Sequence, residues 1–157
     1  MFTVNIRSKS KPSYQQSLVT RSSKLKGLKS WNLSYPGEYA TYYALYPEAW
    51  TVYELPSQNV VLTCHQLSPI IPHNYKDSSL PIAMFNWTVE NYNNEEIELA
   101  LMLTWQSGST SSKEFLIKNA NSECFEDEIM TGVILNQKLK EMSLEYCLTV
   151  EKQVNLN

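Results

Sequence analysis

An all-β fold, an antiparallel β-sandwich, is what this sequence predicts, and three observations predict it. Short runs rich in β-branched and aromatic residues recur between residues 50 and 105, punctuated by Pro, Ser and Asn. One of them, EIELALMLTW, alternates strictly, with Ile97, Leu99, Leu101, Leu103 and Trp105 on one face and Glu96, Glu98 and Thr104 on the other. No long amphipathic helix is visible, and seven or eight short strands without one point to a sandwich.

In chain order, residues 1–29 form a basic lead-in. Arg7, Lys9, Lys11, Arg21, Lys24, Lys26 and Lys29 stand there without a single Asp or Glu, and a run of this kind reads as a solvated, flexible leader ahead of a sandwich over 30–157. Next come eight aromatics in 23 residues, Trp31, Tyr35, Tyr39, Tyr42, Tyr43, Tyr46, Trp50 and Tyr53, read as core or as a domain interface. Strands are expected at Trp50 to Leu55, Val60 to Leu67, Ile82 to Glu90 and Ile97 to Trp105. In the second, Val60, Leu62 and Cys64 share one face while Thr63 and His65 share the other. The last two, joined by ENYNNEE, make a plausible hairpin. QSGSTSSKE reads as a loop, and weaker strands follow at Phe115 to Lys118, Gly132 to Leu135 and Tyr146 to Val150. NANSECFEDE reads as a polar connector, and NQKLKEMSLEY as a connector with a turn of helix at most. The chain has no internal repeat.

With 157 residues, 43% of them apolar and 18% charged, the chain is sized for one domain with a hydrophobic core. Seven of its thirteen cations lie in the lead-in, leaving six against sixteen anions beyond residue 29. This asymmetry favours a membrane surface or an acidic partner for the leader, while the net charge of -3 argues against nucleic acid. MFTVNIRSKSK lacks the apolar core of a secretory signal, and no apolar run reaches the roughly 20 residues of a spanning helix, so a cytosolic chain is expected. Cys64, Cys124 and Cys147 are odd in number and without a CxxC pair, which indicates neither a disulfide framework nor a zinc site. Cys64 and Cys147 are expected as small buried hydrophobes. The sequons at Asn32 and Asn86 would matter only in a secreted protein.

Candidate chemistry is sparse. Adjacent residues of a strand point to opposite faces, so Cys64 and His65 cannot pair as nucleophile and base. His73 and Asp77 are too few ligands for a metal. Glycoside hydrolysis needs two carboxyl groups about 5 to 10 Å apart across a sugar ring. Glu95, Glu96 and Glu98 fall in a turn and on an exposed face, and Glu123, Glu126, Asp127 and Glu128 in a polar run. Asp77 and Glu90 are better embedded, with Asp77 expected as a loop hydrogen-bonder. Gly27, Gly37, Gly108 and Gly132 are isolated, so there is no phosphate-binding loop.

The run ALYPEAWTVYELPSQNVVLTCHQLSPIIPHNYKDSSLPIAMFNWTVEN, chiefly through ALYP, AWTVY, LTC, SPI, DSSLP and WTVEN, resembles the N-terminal domain of the non-lysosomal glucosylceramidases, the bile-acid β-glucosidases of glycoside hydrolase family 116. The match is long over 40–106 and thinner afterwards, where GVIL and EYCLTV look like later strands of the same domain. The resemblance implies a β-sandwich packed on an (α/α)6 catalytic barrel that cleaves glucosylceramide, working without metal or organic cofactor and peripheral on cytosolic membrane faces of the endoplasmic reticulum, Golgi or plasma membrane. It also implies that the catalytic carboxylates lie in the barrel. No residue here matches them, so the sequence assigns no catalytic, cofactor-binding or metal-binding residue to this chain. The remaining expectations are a free-standing sandwich that binds a glycan or protein through Tyr42 to Tyr53, and an incomplete family domain with open sheet edges.

Overall fold

The computed structural model describes residues 1–19, 32–33, 35–104, 120–126, 128, 130–138 and 143–151. The chain divides into two compact units, Met1–Thr104 and Trp105–Asn157. The fold is all-β and antiparallel, with ten strands in three sheets among the described residues.

The first unit is a sandwich. One sheet has the order β2-β1-β7, from Tyr14–Ser17, Phe2–Arg7 and Glu98–Leu103. The other has the order β3-β4-β5-β6, from Ala40–Leu45, Glu48–Leu55, Val60–Leu67 and Met84–Asn91. Val4, Ile6, Leu18 and Tyr35 join Leu55, Val60 and Leu62 in one core. Period-2 alternation builds it. The register sets Leu55, Tyr53 and Thr51 opposite Val60, Leu62 and Cys64, so one face of the four-stranded sheet points inward. From the facing sheet, β7 contributes the half-buried Leu99 and Leu101, aligned with Ile6 and Val4. Phe2 packs edge-on against Phe85 and Trp87, with ring centroids 5.3 and 4.9 Å apart.

Two expectations are corrected here. The lead-in is not a separate leader over its first part, because β1 is the central strand of its sheet and carries Val4 and Ile6 into the core. FTVNIR already alternates, and that local signal outweighs the surrounding charge, since Arg7 and Lys9 are exposed at the strand end and in the loop. Residues 20–29 lie outside the described residues. The second correction concerns the expected hairpin. β6 pairs with β5 and β7 with β1, so ENYNNEE crosses between the two sheets. Both flanking strands have an inward apolar set, and a crossover satisfies both while a hairpin would place them in one layer.

The second unit contains the sheet β10-β9-β8, from Ser143–Glu151, Met130–Lys138 and Ala120–Glu126. Gly132 to Leu135 and Tyr146 to Val150 lie within β9 and β10, as expected. NANSECFEDE, expected as a connector, contains β8. Its Phe125 lies opposite Gly132, and cross-strand pairing carries a sequence of weak β propensity. NQKLKEMSLEY supplies the end of β9 and the start of β10, with Lys138 opposite Ser143, and residues 139–142, where a helical turn is expected, lie outside the described residues. Cys147 is exposed on β10 rather than buried. Phe115 to Lys118 and Trp105 lie outside the described residues.

Candidate functional site

His65 lies on the outer face of the four-stranded sheet, opposite Cys64, as the alternation requires. The register sets it against Trp50 on one side and Asn86 on the other. Its ring stacks on Trp50 at 4.7 Å with an interplanar angle of 2°. Its Nε2 meets Glu48 Oε2 at 2.9 Å, so a half-exposed triad of indole, imidazole and carboxylate stands on the sheet. The sequence places His65 on the face opposite Cys64 and gives no sign of its partners there. The signal for the triad was pairing: Glu48, Trp50 and His65 become neighbours only once β4 and β5 are in register. Cys64 does not join it, since its thiol is inside the sandwich, where burial pushes its pKa up to about 11.

The two carboxylates that the sequence suggests as embedded have local partners, but only Asp77 is partly buried, and Glu90 is exposed on β6. In the connector between β5 and β6, the Asn74 side chain receives the Asp77 amide at 3.2 Å and donates to Asp77 Oδ2 at 2.6 Å, capping the short helix α1 (Tyr75–Ser78). Asp77 is the loop hydrogen-bonder the sequence suggests. His73, two residues before the helix, has a positive φ of 64°. Glu90 accepts the Tyr92 hydroxyl at 2.5 Å, which raises the pKa of that phenol. Glu95 accepts from Ser10 Oγ. Glu98, Glu123 and Glu128 are exposed. Among the described residues no three His, Cys, Asp or Glu side chains gather to hold a metal. Each of these carboxylates is placed by its own loop or strand, an arrangement that stabilises turns and solvates a surface.

The aromatic stretch divides by face. Tyr35 is buried, its ring edge-on to Tyr53 at 5.5 Å, and its hydroxyl reaches the Tyr39 and Glu54 carbonyls at 2.8 and 2.5 Å. Burial pushes its pKa well up. Tyr53 is half-buried, and burial raises its pKa too. Core is therefore the right reading for these two. Tyr42, Tyr43 and Tyr46 are exposed instead, and Trp31 lies outside the described residues. Leu45 and Tyr46 sit at the β3–β4 turn, 70% and 82% exposed. The register brings Leu45, Leu67 and Met84 to the same end of the sheet, where the connector adds Ile71, Tyr75 and Leu80, all exposed. An apolar end of this extent is unusual for a surface that meets only water.

The family described as beta-glucosidase 2, glycosyl-hydrolase family 116 N-term, matches residues 1–157.

Proposed function

We propose, because the chain belongs to the glycosyl-hydrolase family 116 N-terminal family, that it is the β-sheet part of a β-glucosidase that hydrolyses glucosylceramide and that it supports an (α/α)6 catalytic domain. The family match over residues 1–157 carries this reading. Two structural observations support it. Asp77 is tied to Asn74 and the exposed Glu90 to Tyr92, which suits a role in support rather than bond cleavage. The apolar end around Tyr46, Ile71 and Tyr75 is the kind of surface that a neighbouring domain covers. The whole enzyme would sit peripherally on cytosolic membrane faces. Among the described residues no helix is long and apolar enough to cross a membrane.

An immunoblot of the source cells with an antibody to residues 106–128 tests the reading. The expected band is several times heavier than the 18.1 kDa of this chain, and the immunoprecipitate releases glucose from glucosylceramide. A single band at 18.1 kDa would overturn the proposal and leave a free-standing sandwich that binds a glycan or protein through Tyr42 and Tyr43. The isolated chain is expected to leave a fluorogenic β-glucoside uncleaved above background.

A further inference from the structure

The opposite end of the sandwich is polar. Three loops meet there: the β1–β2 loop through Ser10 and Lys11, the β4–β5 turn ending at Asn59, and the β6–β7 crossover from Tyr92 to Glu95. Together they line an open cleft of about 370 Å³.

Side chains lock these loops to one another. Lys11 Nζ donates to Asn93 Oδ1 at 3.1 Å and to the Ser57 carbonyl at 3.4 Å. Asn93 Nδ2 donates to the Gln58 carbonyl at 2.7 Å, and the Tyr92 amide to the Asn59 carbonyl at 2.9 Å. Asn91 Oδ1 receives the Asn93 amide at 3.0 Å, Asn91 Nδ2 donates to the Glu95 carbonyl at 2.9 Å, and Ser10 Oγ closes the ring on Glu95. A cleft tied this way keeps its shape without an occupant, which lowers the ordering cost of binding one.

What the cleft presents selects the occupant. The Tyr92 ring is 65% exposed at the rim, and its hydroxyl bond to Glu90 fixes its direction. Beside it the Asn94 carboxamide makes no hydrogen bond among the described residues, so a donor and an acceptor remain open. The Lys11 ammonium disfavours a cation in the cleft, and Glu95, with Glu90 and Glu96 close in sequence, disfavours an anion. The complement is neutral, rich in hydroxyls and has one apolar face. We propose that this cleft binds a neutral sugar ring, a hexopyranose whose C–H face lies on Tyr92 while its hydroxyls bond Asn94, Lys11 and Glu95. The binding is separate from catalysis and needs no other domain.

Amide NMR spectra of the full chain, titrated separately with methyl β-glucopyranoside, cellobiose and sodium phosphate, test the proposal. The expected result is a saturable shift of the Lys11 and Tyr92 to Glu95 amides with the sugars at millimolar concentration, and none with phosphate. Tyr92→Ala should weaken binding about tenfold, as one aromatic contact is worth, and Tyr92→Phe should keep most of it. Asn94→Ala, at an exposed residue without partners in the fold, should weaken it severalfold with an otherwise unchanged spectrum. Absence of a saturable sugar shift, a response to phosphate alone, or unchanged affinity in both Tyr92→Ala and Asn94→Ala would overturn the site. Failure here leaves the β-glucosidase reading standing, because the immunoblot tests that reading without reference to the cleft.

Discussion

Leu62 is fully buried where the two sheets meet, opposite Tyr53 on β4 and Val89 on β6. Truncating it to Ala leaves a cavity that three strands cannot collapse into, so we expect a loss of about 2 to 5 kcal/mol in urea unfolding. Its neighbour Cys64 points the same way and differs from the other two thiols, which are exposed. At neutral pH a thiol reagent should therefore react fast with Cys124 and Cys147, and with Cys64 only on unfolding. The same burial makes stability pH-dependent. An unfolded thiol titrates near 9.0, whereas Cys64 in the fold holds its proton to about 11. Between these values the unfolded state binds fewer protons, so this thiol's contribution to stability is full below pH 9 and is lost as pH rises towards 11. Cys64→Ala should show a shallower fall than the parent across that window in paired denaturation curves; parallel slopes would count against the assignment. Which side of β5 is inside was legible from Val60, Leu62 and Cys64 alone. The stacking of His65 on Trp50 and its contact with Glu48 was not, because those residues are 15 or 17 positions apart and meet only through strand register.

Strands with clean alternation were readable one by one, while their partners were not. EIELALMLTW told which residues of β7 face inward, and Leu99 and Leu101 do. It could not tell that the neighbour is β1 rather than β6, since alternation is a local property and pairing is set by the whole core. Composition misled at β1, where cations in the flanking loop masked the alternation of FTVNIR, and at β8, whose acidic residues lie on an exposed strand. The reassignment of β1 is testable. Deleting residues 1–7 removes the central strand of its sheet together with Val4 and Ile6, so the cooperative thermal transition of the first unit should be lost. A dispensable leader would leave the melting curve unchanged. In the second unit, β9 is flanked on both sides, and Gly132 leaves room for its neighbours. A methyl there would strike the Phe125 ring and come within 2.8 Å of the Leu148 carbonyl. The ring can turn, but the carbonyl belongs to the β9–β10 ladder and cannot yield cheaply. Gly132→Ala should cost about 1 to 3 kcal/mol, by the measure of other overpacked positions, read as a lower melting temperature of that sheet.

At the scale of the molecule, the first unit is a closed piece of architecture. Among the described residues, seven strands form its two sheets, the principal core lies before Thr104, and the chain ends of the unit are joined: the Met1 amino group donates to the Thr104 carbonyl at 2.8 Å, and the Thr104 amide to the Met1 carbonyl at 2.9 Å. Its two ends differ in kind, one apolar around Tyr46 and Ile71, the other polar around Lys11 and Asn93, and that polarity suits a module covered at one end and open to solvent at the other. If folding is determined within this unit, a fragment of residues 1–104 has all the contacts it needs. We expect it to melt cooperatively, with Trp50 and Trp87 shifting their fluorescence together, and to keep Cys64 closed to thiol reagents until it unfolds. A fragment without a cooperative transition, or with Cys64 reactive from the outset, would show that the second unit is required for the sandwich to form, and the boundary at Thr104 would then be one of geometry rather than of folding.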